Sequence, residues 1–167
     1  KTFAPPNLIS DLKNYFKGTQ GATLEVMVSW RERVLSSQHF WGKKSITLGS
    51  LAHSSVRVPQ SFVPTQIGFI ELGAKTLVFV PSYMKAELKR NSQVLQTPEM
   101  MGRAAQPHAQ GMSVQLQQGD LLILSLGEDE LQIFIRFVAQ PPLAALLGHD
   151  MSSGELTGLI TAVVLVA

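Results

Sequence analysis

From Ser113 to Val138 the chain reads SVQLQQGDLLILSLGEDELQIFIRFV, and no other stretch narrows the fold as much. It parses as a strand, a Gly-Asp turn at Gly119-Asp120, a second strand, an acidic turn at Glu128-Asp129-Glu130 and a long closing strand. In the closing strand Leu131, Ile133, Ile135 and Phe137 share one face and Gln132 and Arg136 the other, while Phe134 and Val138 break the alternation. Successive side chains leave a strand on opposite sides, so a period of two in β-branched and aromatic residues marks strands.

The pattern runs through most of the chain from Thr23 onward. LEVMVSW and VLSSQHFW flank the polar turn Arg31-Glu32-Arg33 as a hairpin, and SITLG follows the turn Gly42-Lys43-Lys44. VRVP is a brief strand stopped by Pro59, QSFVPTQ is a loop, and GFIEL passes through Gly73-Ala74-Lys75 into TLVFV. MKAELKRN alternates at Met84, Ala86 and Leu88, with a helical reading in competition. Ser92 to Met112 has two prolines, two glycines and no period, and reads as a long loop. About eleven short strands broken by Gly and Pro, with almost no internal helix, predict an all-β antiparallel sandwich.

Composition agrees: 45% of the 167 residues are hydrophobic and 16% charged, a balance for a packed core and against disorder. With no cysteine there is neither a disulfide nor a thiolate metal site. Fourteen Lys and Arg against twelve Asp and Glu leave a net +2, too weak for a nucleic-acid surface. Lys43-Lys44 and Lys85, Lys89, Arg90 are loose basic clusters, which read first as solvated faces.

Both ends differ from the middle. Pro5-Pro6 enforces an extended start, and Asn7 or Ser10 then caps a short helix with Leu8, Leu12, Tyr15 and Phe16 on one face. Gly18 and Gly21 end that helix. The chain opens on Lys1 without a signal-peptide pattern, which reads as an internal boundary of a longer protein. From Leu156 it runs LTGLITAVVLVA with no charge after Glu155. A bilayer takes about 20 apolar residues, so this run reads as the start of a transmembrane helix, or else as a short helix buried on the core. The expected division is an extension over 1–22, a sandwich over 23–140 with its long loop at 92–112, a linker over 141–155 and the membrane segment over 156–167.

No catalytic pattern stands out. His39, His53, His108 and His149 show none of the HxH, HxxxH or HExxH spacings of a metal site. Ser113 and Ser153 lack a nucleophile elbow, and Gly42-Lys43-Lys44 lacks the upstream glycine and the hydroxyl of a phosphate-binding loop. The acidic triplet Glu128-Asp129-Glu130 reads as a solvated hairpin tip. A non-enzyme without metal or cofactor is expected.

The order of segments from Leu24 to Val138 resembles the forkhead-associated (FHA) domain, an eleven-stranded sandwich whose loops at one end bind phosphothreonine. ITLGS (Ile46 to Ser50) looks like the family's strand ending in Gly-Arg, and VRVP (Val56 to Pro59) like the short strand after it. VPTQIGFI (Val63 to Ile70) stands where the family has Ser-x-x-His, Leu116-x-x-Gly119-Asp120 resembles its Leu-x-x-Gly-Asp turn, and ELQIFIRFV its last strand. The resemblance puts the family's phosphate-contacting arginine on Ser50, its phosphate-binding serine at Pro64-Thr65, its structural histidine near Ile67 and its peptide-holding asparagine at Met84 or Lys85. A phosphate needs charged forks and several donors, so these replacements imply a degenerate site. Lys43, Lys44, Lys85, Lys89 and Arg90 are the residues left to restore an anionic preference.

LEVMVSWRERVLSSQHFW, KSITLG, VRVP and IRFV, followed by a linker and an apolar run, also resemble the N-terminal domain of gliding-motility, TonB-related membrane proteins of the AgmX/PglI group. That resemblance implies an interaction scaffold at the cytoplasmic face of a bacterial inner membrane. It would be anchored by the C-terminal helix and docked to protein partners of a motility or envelope-spanning complex, with a homo-oligomer left open. Two alternatives stand beside it: a phosphopeptide reader built on the basic residues, and a small hydrolase or ligand-binding sandwich with a deep pocket. An exposed sheet edge, with the 92–112 segment beside it, offers a further route to partners by strand addition.

Overall fold

The computed structural model describes residues 17–31 and 33–139. The expected N-terminal helix, the linker and the apolar C-terminal run lie outside these residues, as does the membrane anchoring that rests on that run. Among the described residues no helix is long and apolar enough to cross a membrane.

Twelve strands form, beginning with β1 (Thr23–Trp30), β2 (Arg33–Phe40), β3 (Lys44–Gly49) and β4 (Val56–Arg57). β5 (Gln66–Leu72), β6 (Thr76–Pro81), β7 (Lys85–Arg90) and β8 (Gln93–Gln96) follow. After one helical turn, α1 (Thr97–Met100), come β9 (Ala105–His108), β10 (Gly111–Leu116), β11 (Leu121–Leu126) and β12 (Leu131–Val138). Sheet I has the order β2-β1-β12-β11-β7-β8, and sheet II the order β4-β3-β5-β6-β10-β9. All pairs are antiparallel except β3 with β4. The all-β, two-sheet architecture is as the sequence predicts.

The helical alternative for MKAELKRN gives way to strand β7, whose Ala86 and Leu88, together with Met84 just before it, are buried. Ser92 to Met112 departs from expectation. It is no loop: it holds β8, α1, β9 and the start of β10, which raises the count to twelve strands. Its apolar residues lack a period because each short element contributes only one or two, with Leu95, Met100, Ala104, Ala105 and Met112 all buried in the main core. The helical turn starts at a reciprocal cap between Gln96 and Glu99, with the Gln96 N–H donating to Glu99 Oε1 at 3.1 Å.

The inner faces of both sheets make one core, which takes Leu131, Ile133, Ile135 and Phe137 from β12. Phe134 breaks the alternation because it belongs elsewhere. With Met27, Leu121 and Ile123 it forms a second buried cluster. The pairing of Met27 and of Ile123 with Phe134 puts these residues on the opposite face of sheet I.

The Gly119-Asp120 turn carries the chain from β10 in sheet II to β11 in sheet I, with Gly119 at φ 86°. Asp120 is 1% exposed and ties the turn together. Its carboxylate accepts from Gln117 N at 2.7 Å and from Arg90 Nε and Nη2 at 2.9 and 2.7 Å. The N-terminal strap locks onto the same turn. Gly119 N donates to Thr19 O at 3.0 Å, and Gln118 exchanges two hydrogen bonds with the Gly21 backbone. Gly18 and Gly21 are therefore close-approach positions, since a Cβ on either would stand 1.8 Å from a carbonyl oxygen, of Gly119 or of Val138.

Candidate functional site

Strand direction decides which loops meet. β3 leaves sheet II at Gly49, paired with Gln66 at the start of β5, and the β5–β6 register carries Pro81 back to the same end. The segments around Ser50 to Ser55, Pro59 to Thr65 and Pro81 to Met84 thus share one end of the sandwich. The acidic turn joins them, because a Cβ on Gly127 would lie 2.8 Å from the Phe62 ring.

The hydroxyls of this end are spent on its own backbone. Ser50 N donates to Thr65 O at 3.0 Å and Ser50 Oγ to Pro64 O at 2.9 Å. Thr47 N donates to Ser55 Oγ at 3.1 Å, and Ser55 N returns a bond to Thr47 Oγ1 at 2.9 Å. Ser54 Oγ donates to Gln66 Oε1 at 3.1 Å. Gly49 permits this closeness, because a Cβ there would stand 2.1 Å from Thr65 O. Pro64 has no N–H to offer, Thr65 is exposed, and Ile67 is half-buried against the core. Met84 is buried and Lys85 exposed. Sequence reasoning passed over Arg57, an exposed guanidinium at this end whose Nη2 donates to Ser50 O at 3.4 Å. The alternation Val56-Arg57-Val58, which puts Arg57 on the face opposite two apolar residues, was the signal for it.

Beside Met84 the surface opens into an apolar cavity of about 260 Å³ between the β6–β7 turn and the segment after α1. Val80, Pro81, Met84, Met101 and Met112 supply its apolar wall. Gly111 keeps the floor flat, since a Cβ there would meet Val80 O at 2.2 Å. Tyr83, 58% exposed, and Met101, 39% exposed, stand at this corner. Unbranched thioether side chains adapt to whatever apolar group enters.

The basic residues do not converge. Lys43 lines a cleft of about 590 Å³ at the opposite, Gly-Asp end, and Lys44 lies 5.6 Å from the Trp41 ring. Arg90 is committed to Asp120, and that hydrogen bond raises its pKa above the usual arginine value. Lys89 faces Leu121 on sheet I, and only Lys85 sits at the loop end, opposite Ser125.

His39 is nearly closed off, with Nε2 3.5 Å from Glu25 Oε2. Arg136 Nε donates to the other oxygen, Glu25 Oε1, at 2.7 Å. Burial pushes the Glu25 pKa up, and the hydrogen bonds and charges of His39 and Arg136 outweigh it, so the carboxyl sits below its ordinary 4.5. His53 lies in the loop after Ser50, and His108 meets the Phe79 ring in a tilted arrangement, 4.9 Å between ring centres. At the acidic tip Glu128 and Asp129 are exposed with φ of 57° and 69°, while Glu130 binds Arg31. The hydrogen bond from Arg31 holds the Glu130 carboxyl below its usual value. Among the described residues no three His, Asp or Glu side chains gather as a metal site.

The fold and this end define a two-sheet β-sandwich with self-satisfied polar loops beside an apolar cavity. Comparison with protein-family models, curated proteins and solved structures returned no match.

Proposed function

We propose that this chain is a non-catalytic protein-interaction domain of forkhead-associated type that does not read phosphothreonine. One observation carries the reading: Ser50 Oγ is spent on the Pro64 carbonyl, while a methionine-lined cavity opens beside Met84. A phosphate is held by ionised forks and several free donors. A cavity of this kind instead suits one apolar side chain of a peptide. Placement at the cytoplasmic face of an inner membrane, in a motility or envelope-spanning complex, rests on the resemblance and on the apolar run from Leu156.

Arg57 favours the second reading, a phosphopeptide reader, because it brings a guanidinium to the loop end with Lys85. Calorimetric titration of the full chain with a phosphothreonine peptide library separates the two. No heat of binding at millimolar peptide is the expected outcome. Binding that disappears in Arg57→Ala and Lys85→Ala would establish the phosphopeptide reader instead. For the membrane placement, full chain recovered in the soluble fraction after detergent-free lysis is the adverse result.

A further inference from the structure

Polar side chains are spent at one end of the sandwich and idle at the other. At the loop end Ser50, Ser54 and Ser55 are engaged by neighbouring groups. The cleft of about 590 Å³ at the Gly-Asp end forms where three turns meet. Lys43 comes from the turn between β2 and β3, Lys75 from the turn between β5 and β6, and Gln115 and Gln117 from the last residues of β10 and the turn after it. A Cβ on Gly73 would lie 4.0 Å from Lys43 Cγ, so the Lys43 stem runs beside the turn that carries Lys75. All four polar side chains are exposed. Neither lysine makes an ion pair with a described residue, and neither glutamine side chain a hydrogen bond to one. The described carboxylates toward this end are already engaged: Asp120 by Arg90, Glu25 by Arg136 and Glu71 by the Ser45 hydroxyl. The described wall holds no acid, while Leu72, Leu116 and Phe137 make part of it apolar. A cleft lined by one sign of charge between low-dielectric walls focuses its field on whatever enters.

We propose that this cleft binds an acidic peptide segment of a protein partner, with carboxylates on Lys43 and Lys75 and peptide backbone on the Gln115 and Gln117 amides. Three features select that chemistry. The positive charge belongs to two ammonium groups on separate turns, which suits carboxylates spaced along a chain better than one compact dianion. Among the described residues no arginine lines the cleft, so the planar fork that favours a bound phosphate is missing. An amide side chain both donates and accepts, as the backbone of an extended peptide requires. The net charge of +2 keeps the attraction local to the cleft rather than spread over a nucleic-acid surface. The cleft and the methionine-lined cavity lie at opposite ends, so this site stands or falls apart from the recognition proposed there.

Trp41, 53% exposed, directly precedes Gly42 of the cleft wall and reports on occupancy through its fluorescence. The full chain titrated with a hexaglutamate peptide should show saturable binding that weakens as salt shortens the reach of the charges. Lys43→Gln with Lys75→Gln removes two exposed charge contacts and should lose about fivefold or more in affinity. Lys43→Arg with Lys75→Arg should keep it, and so should Arg57→Gln with Lys85→Gln, which removes the same charge at the loop end. Equal losses in the two glutamine variants would make the attraction general and overturn the proposal, as would the absence of saturable binding. Succinate or inorganic phosphate binding as tightly as the peptide would assign the cleft to a small anion and overturn it too. So would a parent chain whose mass grows with concentration and returns to monomer in Glu128→Gln with Asp129→Asn, because the exposed acidic tip of a second copy would then be the occupant.

Discussion

The two ends of the sandwich are built on opposite principles. At the Gly-Asp end one buried carboxylate, Asp120, collects an arginine fork and a backbone N–H, and the N-terminal strap is hydrogen-bonded onto the same turn. At the loop end Ser50, Ser54, Ser55 and Thr47 are satisfied by one another, the backbone and Gln66, and the cavity beside Met84 is apolar within a rim that also exposes Arg57 and Lys85. A buried ionic hydrogen-bond network fixes one end, while at the other neutral hydroxyls close the loops beside an apolar cavity and the ion pair Arg31–Glu130 is exposed. On the proposed reading, stability is concentrated at the first end and recognition of an apolar side chain at the second.

The sharpest test of that division is Asp120→Ala. It leaves the Arg90 guanidinium without its carboxylate, with the Nη2 bond to Gln115 O at 3.0 Å kept, and frees the Gln117 N–H, and losing one member of a buried ion pair costs about 3 kcal/mol. The urea midpoint should fall accordingly, with the slope unchanged. A loss below about 1 kcal/mol would show that the end is held by packing instead. Next in size is Gly49→Ala at the loop end, where the new Cβ would press on the Thr65 carbonyl at 2.1 Å. Backbone displacement there should cost about 2 kcal/mol and break the Ser50–Thr65 hydrogen bond. Thermal unfolding followed by circular dichroism measures it, and a neutral Gly49→Ala would mean that the loop end is as pliable as its cavity.

Legibility followed the same divide. The Gly119-Asp120 turn and β12 were readable because a long strand with one buried face writes a period of two into the chain. Met84, Ala86 and Leu88 were readable for the same reason, once the alternation was weighed against a helix of equal length. The cavity was not. Its wall draws on Val80, Met84, Met101 and Met112, and no local pattern links such separate residues, of which Val80 and Met112 are partners across β6 and β10. The elements within Ser92 to Met112 did leave one local mark, Gln96 three residues before Glu99 with Pro98 between them. Phe134 was visible as an irregularity, and only its pairing with Met27 and Ile123 explains why both faces of β12 are apolar.

Acid should weaken the Gly-Asp side of the molecule through Glu25. Glu25 has a folded-state pKa below its ordinary 4.5, held there by His39 and Arg136 against the cost of burial. Its contribution is thus complete above the unfolded carboxylate value and is lost as pH falls through the lowered folded value. Stability measured from pH 6 downward should decline below about 4.5 in the parent chain. In Glu25→Gln the decline should be shallower, starting from a lower plateau. An identical pH profile in the two chains would remove Glu25 from the account of the fixed end.

The smallest effect on stability should accompany the largest on recognition, at Met101→Asp. Met101 is 39% exposed at the rim of the cavity and outside the main core. Surface changes of this kind stay within about 0.5 kcal/mol, so the unfolding midpoint should hardly move. A carboxylate at the rim, however, makes entry of an apolar side chain pay for desolvating a charge. Peptides selected by display against the parent chain should carry a Leu, Met or Phe anchor, and should lose at least tenfold in affinity to the variant. Lys85→Ala tests the competing source of affinity at the same end, because Lys85 is exposed there and lines no part of this cavity. Ligands that survive Met101→Asp and fail with Lys85→Ala would move recognition from the cavity to the charged rim.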